Sequence, residues 1–270
     1  MTPLLSFFET EVTDAPASRR DALGTVGKIG LGAALASIPF LKPGLAQAQT
    51  LSGDAGILNY ALTLEYLERS FYRQGTSKGF IPSAVAPLFN KIRMDEEAHV
   101  TLLSGAISAA GAQPVSYTDE SFDFGPYMET YGNFVALAQG LEDTGVRAYK
   151  GRAADIMSKD YLTVALQIHS VEARHAAAIR RLSASPASKG WISGDGTTAP
   201  PAIQPVYGPG QPASMFPAES NTTQGGINLA SALSGYTATQ IAEAFDEPLD
   251  GDLNEPNSTV ISIASQFFAK

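Results

Sequence analysis

The chain has 270 residues, 44% hydrophobic and 17% charged, which gives material for a full core and excludes a wholly disordered or polytopic membrane protein. Its 27 acidic and 18 basic residues leave a net charge of -9, which excludes a broad nucleic-acid-binding face. There is no cysteine, so disulfides, iron–sulfur clusters, thiolate zinc sites and cysteine nucleophiles are excluded. With only three histidines, any metal site must rest on carboxylates.

Residues 1–48 read as a targeting segment. Ser18-Arg19-Arg20-Asp21 precedes a weakly apolar run, Thr25 to Leu41, that carries Gly27, Gly30 and Gly32. Pro43 and the small-x-small Ala46-Gln47-Ala48 follow, as at a signal-peptidase site. The paired arginines, modest hydrophobicity and Lys28 resemble a bacterial twin-arginine export signal, an address read by a receptor. The apolar run is shorter than the roughly 20 residues a span needs, so no stable membrane span is expected after cleavage. The expected location is periplasmic or secreted. That resemblance implies export after folding, a route suited to a protein that takes up its cofactor first.

Residues 49–186 predict four helices: Asp54 to Gln74, stopping at Gly75; Ser83 or Pro87 to Ala110; Tyr127 to Met157; and Asp160 to Ser183. The first repeats Ile57, Leu58, Ala61, Leu62 and Leu64 at helical spacing, and the second ends at Gly111 with Pro114 beyond. Gly132, Gly140, Gly145 and Gly151 cost the third about 1 kcal/mol each unless close packing requires them. Short loops within each pair and a longer Gln113–Pro126 connection between pairs predict an all-α four-helix bundle with a crossover. Residues 187–270 form a C-terminal extension expected to wrap or dock on the bundle. Its first part, 187–235, is Gly/Pro-rich and irregular, and helical signals return at Thr237–Phe245 and Ser258–Phe268.

Two of the three histidines follow a glutamate by three residues, in Glu96-Glu97-Ala98-His99 and Glu172-Ala173-Arg174-His175. On a helix that spacing puts carboxylate and imidazole on one face, within reach of a shared ion. Glu65 and Tyr72, and Glu142 and Tyr149, are each seven residues apart, about two turns, so each tyrosine shares a face with its glutamate. Glu65 precedes His99 by 34 positions and Glu142 precedes His175 by 33, an approximate internal repeat. Four carboxylates would supply -4 against two ions carrying +4, and oxygen-rich ligation with one imidazole per ion suits Fe or Mn better than Zn.

This pattern is the ligand set of ferritin-like di-iron and di-manganese carboxylate proteins. Asn59-Tyr60-Ala61-Leu62-Thr63-Leu64-Glu65-Tyr66-Leu67-Glu68, together with Glu172-Ala173-Arg174-His175, resembles bacterial ferritin-like-domain proteins related to desiccation-associated proteins. The resemblance implies a ferritin-like four-helix bundle holding two metal ions, Fe or Mn. It makes Glu65, Glu96, His99, Glu142, Glu172 and His175 the ligands and catalytic residues. Glu65 and Glu142 would be terminal, Glu96 and Glu172 bridging, with one histidine on each ion. Glu68 competes with Glu65, and Asp143 with Glu142; the tyrosine spacing favours Glu65. Tyr72 and Tyr149 are expected to hydrogen-bond ligand carboxylates on neighbouring helices. His169 is assigned beside the ligands, with a solvent-facing or pH-sensitive role left open. Arg147 and Arg174 are expected to neutralise nearby carboxylates or lie at the surface, and Asp95 and Glu97 on the solvated face.

The implied function is exported redox chemistry with O2 or a peroxide as small-molecule substrate: ferroxidase, peroxidase-like or catalase-like. Without cysteine there is no rubredoxin-type centre, so an external electron donor is expected. The alternative is a non-catalytic, metal-binding stress or desiccation-related protein. Iron storage needs a hollow cage that a long tail makes less natural; a homo-oligomer stays open.

Overall fold

The structure, a computed structural model, describes residues 53–182, 189–193, 199–251 and 258–270. The expected export segment, 1–48, lies outside the described residues. Four long helices make an all-α bundle: α1 Gly53–Ser77, α2 Ala86–Ala109, α3 Tyr131–Ala153 and α4 Lys159–Arg180. α1 packs on α2 and α3 on α4, while α1 also lies against α3 and α2 against α4. Among the described residues, no helix is long and apolar enough to cross a membrane.

Local chemistry sets the helix limits. A proline starts α2, where its missing N–H costs nothing. Gly111, at φ +77°, ends the helix in the left-handed region that favours glycine. The Thr130 hydroxyl caps α3 by accepting from Asn133 N–H at 3.2 Å, and Ser158 caps α4. These caps correct the expected bounds. α3 starts at Tyr131 rather than Tyr127 because Gly125–Met128 forms a 3-10 turn. α1 runs through Gly75 to Ser77. Gly75 is a packing residue there, since a Cβ would stand 2.1 Å from the Phe134 ring. Gly140 and Gly151 in α3 likewise admit Ile203 and the Leu249 carbonyl.

The two central helices are α1 and α3. Both are buried almost all round, whereas α2 and α4 bury one face. The connection between α2 and α3 covers α1: Val115 N–H donates to Asn59 Oδ1 at 2.7 Å, and Tyr117 packs edge-on to Tyr66. The tail covers α3 in the same way. Its short elements are a 3-10 turn at Gln204–Tyr207, a hairpin of β1 Thr223–Gln224 and β2 Ile227–Asn228, α5 Leu229–Ala232, α6 Ala238–Ala242 and α7 Thr259–Ala264. Phe267 and Phe268 then dock on the connection. Asp123 N–H donates to Phe267 O at 2.8 Å, and Phe268 packs 4.8 Å from Phe122. An aromatic cluster through Phe124, Phe71 and Phe134 joins that seam to the bundle core.

Arg147 is neither at the surface nor beside the metal ligands, correcting that expectation. Wholly buried, it donates to the carbonyls of Glu247 (2.9 Å), Pro217 (2.8 Å), Pro248 (3.0 Å), Gly208 and Val206, and pairs with Glu219 at 2.9 Å. The guanidinium has five N–H donors in a fixed fork, so one side chain can tie several tail carbonyls to α3. Arg174 is exposed.

Candidate metal centre

Each long helix turns part of the repeated pattern inward. Glu65, Glu96, Glu142 and Glu172 are fully buried, and His99 and His175 are 7% and 6% exposed. They fall into two overlapping groups: Glu65, Glu96, His99 and Glu172, and Glu96, Glu142, Glu172 and His175. Within each group the candidate ligand atoms lie within 4.8 Å of one another. Glu96 and Glu172 belong to both groups, whereas Glu65 and Glu142 belong to one each. His99 Nδ1 lies 3.1 Å from oxygens of Glu65, Glu96 and Glu172. His175 Nδ1 lies 3.0 Å from Glu96 Oε1 and 3.2 Å from Glu142 Oε2.

The orientation of these groups tests whether a metal pair fits. Glu96 Oε1, Glu142 Oε2, both oxygens of Glu172 and His175 Nδ1 are buried without a hydrogen-bond partner. Leaving so many polar atoms unpaired in a dry interior costs about 1–3 kcal/mol apiece. His175 Nδ1 sits beside two carboxylates without the alignment of a hydrogen bond, whereas His99 Nδ1 is hydrogen-bonded to Glu65 and Glu96. Oxygen-rich donors with one imidazole per group suit two Fe or Mn ions.

The tyrosines complete the centre reciprocally. Tyr72 on α1 donates to Glu142 on α3, and Tyr149 on α3 donates to Glu65 Oε1 on α1 at 2.5 Å. This exchange requires α1 and α3 to run antiparallel with Glu65 opposite Tyr149. It orients each carboxylate through a partner on the other hairpin.

Two acidic residues play parts their local sequence does not reveal. Asp95, expected on the solvated face, accepts a hydrogen bond from His175 Nε2 at 3.1 Å and pairs with Lys91. Val171 precedes the second Glu-x-x-His where Asp95 precedes the first, so this support is not duplicated. Glu68, weighed only as a competitor to Glu65, is buried beside it as a fifth carboxylate. Its position in the other repeat is occupied by Gly145, where a Cβ would stand 3.2 Å from Glu68 Oε1 and 3.3 Å from Glu172 Oε2. The second repeat thus gives up a side chain where the first supplies a carboxylate.

Asp143 turns away from the centre, accepting from Arg180 and from Tyr207 O–H at 2.6 Å. His169 also lies apart from the ligands, in the wall of a cavity beneath the tail. His169 precedes His175 by six residues, about 600° of helix, so it points about 120° away from that imidazole. Glu97 stays on the outer face with Arg93 and Arg73, as expected.

The metal-free electrostatics are those of crowded acids. Burial and the charge of Glu172 push Glu96 up to about 8, despite the two imidazoles beside it. Burial and neighbouring carboxylates raise Glu68 and Glu172 well above the ordinary range, and burial raises Glu142. Burial also works against Glu65, but the hydrogen bond and charge of His99 bring it lower. Burial opposes charging of both histidines, yet the surrounding carboxylates outweigh it and carry His175 up to about 12 and His99 also upward. Imidazolium protons are the cations this site recruits in the absence of metal.

A crossover bundle with two Glu-x-x-His helices and two single-glutamate helices defines a carboxylate-rich dinuclear metal-binding architecture. Residues 53–185 match the ferritin-like domain family, and this part of the chain is a ferritin-like domain. No curated protein matches the chain at a significant level.

Proposed function

We propose that the protein is an exported oxidoreductase with a dinuclear Fe or Mn centre that reacts with O2 or a peroxide. The ligands are Glu65, Glu96, His99, Glu142, Glu172 and His175, and the buried donor atoms left without hydrogen-bond partners carry this reading. When bound, the ions would supply the one-electron steps that side chains cannot. The remaining work belongs to the chain. Glu96 and Glu172, shared by both ligand groups, hold the two positions together. Tyr72, Tyr149 and Asp95 fix the orientation of Glu142, Glu65 and His175.

Glu68 favours redox chemistry over a static role. Five carboxylates against two divalent ions leave one negative charge in a dry interior, which either a proton on Glu68 or a more highly charged metal pair would balance. A site poised between those balances would couple loss of the Glu68 proton to loss of an electron. Export by the twin-arginine route rests on Arg19-Arg20 and Ala46-Gln47-Ala48.

Metal-loaded protein is expected to consume ferrous iron or peroxide faster than a Glu96→Ala/His99→Ala variant. Equal rates would remove the redox reading and leave the metal-binding alternative, which elemental analysis then tests. An intact N-terminus on natively purified protein would remove the export reading.

A further inference from the structure

A cavity of about 250 Å³ lies where the tail covers α3 and α4, and none of the six candidate ligands lines it. Its deeper wall is ionic. Asp143 pairs with Arg180, and Glu219, 4% exposed, pairs with Arg147. Its rim is aromatic and open, with Trp191 50% and Phe245 41% exposed. Each lining carboxylate has a cationic partner: Asp143 has Arg180, Glu219 has Arg147, Asp246 has Lys150 and Glu243 has Lys189, of which Lys189 is the most exposed. His169 adds no positive charge, because burial and the nearby Lys150 ammonium lower its pKa. The wall is therefore ion-paired, and it becomes acidic only where Lys189 leaves Glu243. Its carboxylates are too dispersed for a metal: among the described residues, ligand-type atoms converge only at the centre above.

The chain itself shows which chemistry the rim accepts. Lys189 places its ammonium 2.8 Å from Glu243 Oε1 and 5.7 Å from the centroid of the Trp191 ring. Its side chain is 45% exposed, so this is a replaceable occupant held by an ion pair and a cation–π contact. We propose that the cavity binds a small organic cation, a primary or quaternary ammonium. Its charge displaces Lys189 between Trp191 and Glu243, and its body extends toward Glu219. An aromatic face with an adjacent carboxylate is a recognised way of holding an ammonium group. This site is independent of the metal centre and of the reading given for it.

Trp191 is the only tryptophan in the chain, so its emission reports on the rim directly. The full-length protein is titrated with tetramethylammonium and with putrescine, each against sodium chloride of matched ionic strength and against glucose, by emission and by calorimetry. A saturable response to either cation, absent with sodium chloride and glucose, supports the proposal. Lys189→Ala is then expected to bind at least about threefold more tightly, because the internal competitor is gone, and Glu243→Gln more weakly. Neither side chain lies in the core, and circular dichroism checks that both variants fold. The absence of saturable heat and emission with both cations, an equal response to glucose, or a Lys189→Ala variant that binds no more tightly would overturn it.

Discussion

Tyr72 and Tyr149 each direct a phenol hydroxyl at a carboxylate on the opposite hairpin, and so tie ligand orientation to helix register. Replacing either with phenylalanine removes one such bond and leaves the aromatic packing. Tyr72→Phe and Tyr149→Phe are expected to weaken metal binding about 10–100-fold with little loss of helix, measured by metal titration alongside circular dichroism. Asp95→Asn tests the asymmetry. Because Asp95 supports His175 and Val171 offers the other repeat no such carboxylate, one of two binding steps is expected to weaken while the other holds. Equal weakening of both steps would show that Asp95 acts on the whole centre. The converging glutamates and histidines were legible in the sequence because spacings of three and seven residues share a helix face. Asp95 and Glu68 were not, since their roles depend on what another helix places opposite them: His175 for one, Gly145 for the other.

The long helices were also legible as elements, while their ends moved with caps and turns that the apolar pattern does not encode. Gly75, read as a stop, is a contact with Phe134. In the tail the helices at Ala238–Ala242 and Thr259–Ala264 were legible, but 187–235 only as irregular, because Gly/Pro-rich chain carries no periodicity from which to infer a partner. What holds it is Arg147, and the structure makes that residue a sensitive point. Arg147→Met strands buried Glu219 and several carbonyls, so it is expected to cost about 3–5 kcal/mol. Denaturant unfolding measures the loss, and early proteolysis within 199–251 would place it in the tail. Lysine should not rescue, since one ammonium cannot reproduce the fork that serves several carbonyls at once.

At the scale of the whole molecule, protonation and metal compete for the same interior. The raised carboxylates and histidines mean that the metal-free folded state binds more protons than the unfolded chain. The excess runs from the ordinary carboxylate range to about 8 for Glu96, and from the ordinary imidazole range to about 12 for His175. Stability therefore falls as pH rises across that window, with Glu65 opposing weakly. Thermal unfolding of metal-free protein is expected to show a lower Tm at pH 9 than at pH 6. Metal loading should raise Tm, flatten that slope and release protons. A metal-free Tm that climbs toward alkaline pH would contradict the crowding of acids. The exchanged tyrosines carry a mechanical consequence as well. Neither hairpin can swing outward without stranding a buried carboxylate in the other, so amide exchange at the α1–α3 seam should proceed by joint opening of both halves, the bound ions acting as the bolt.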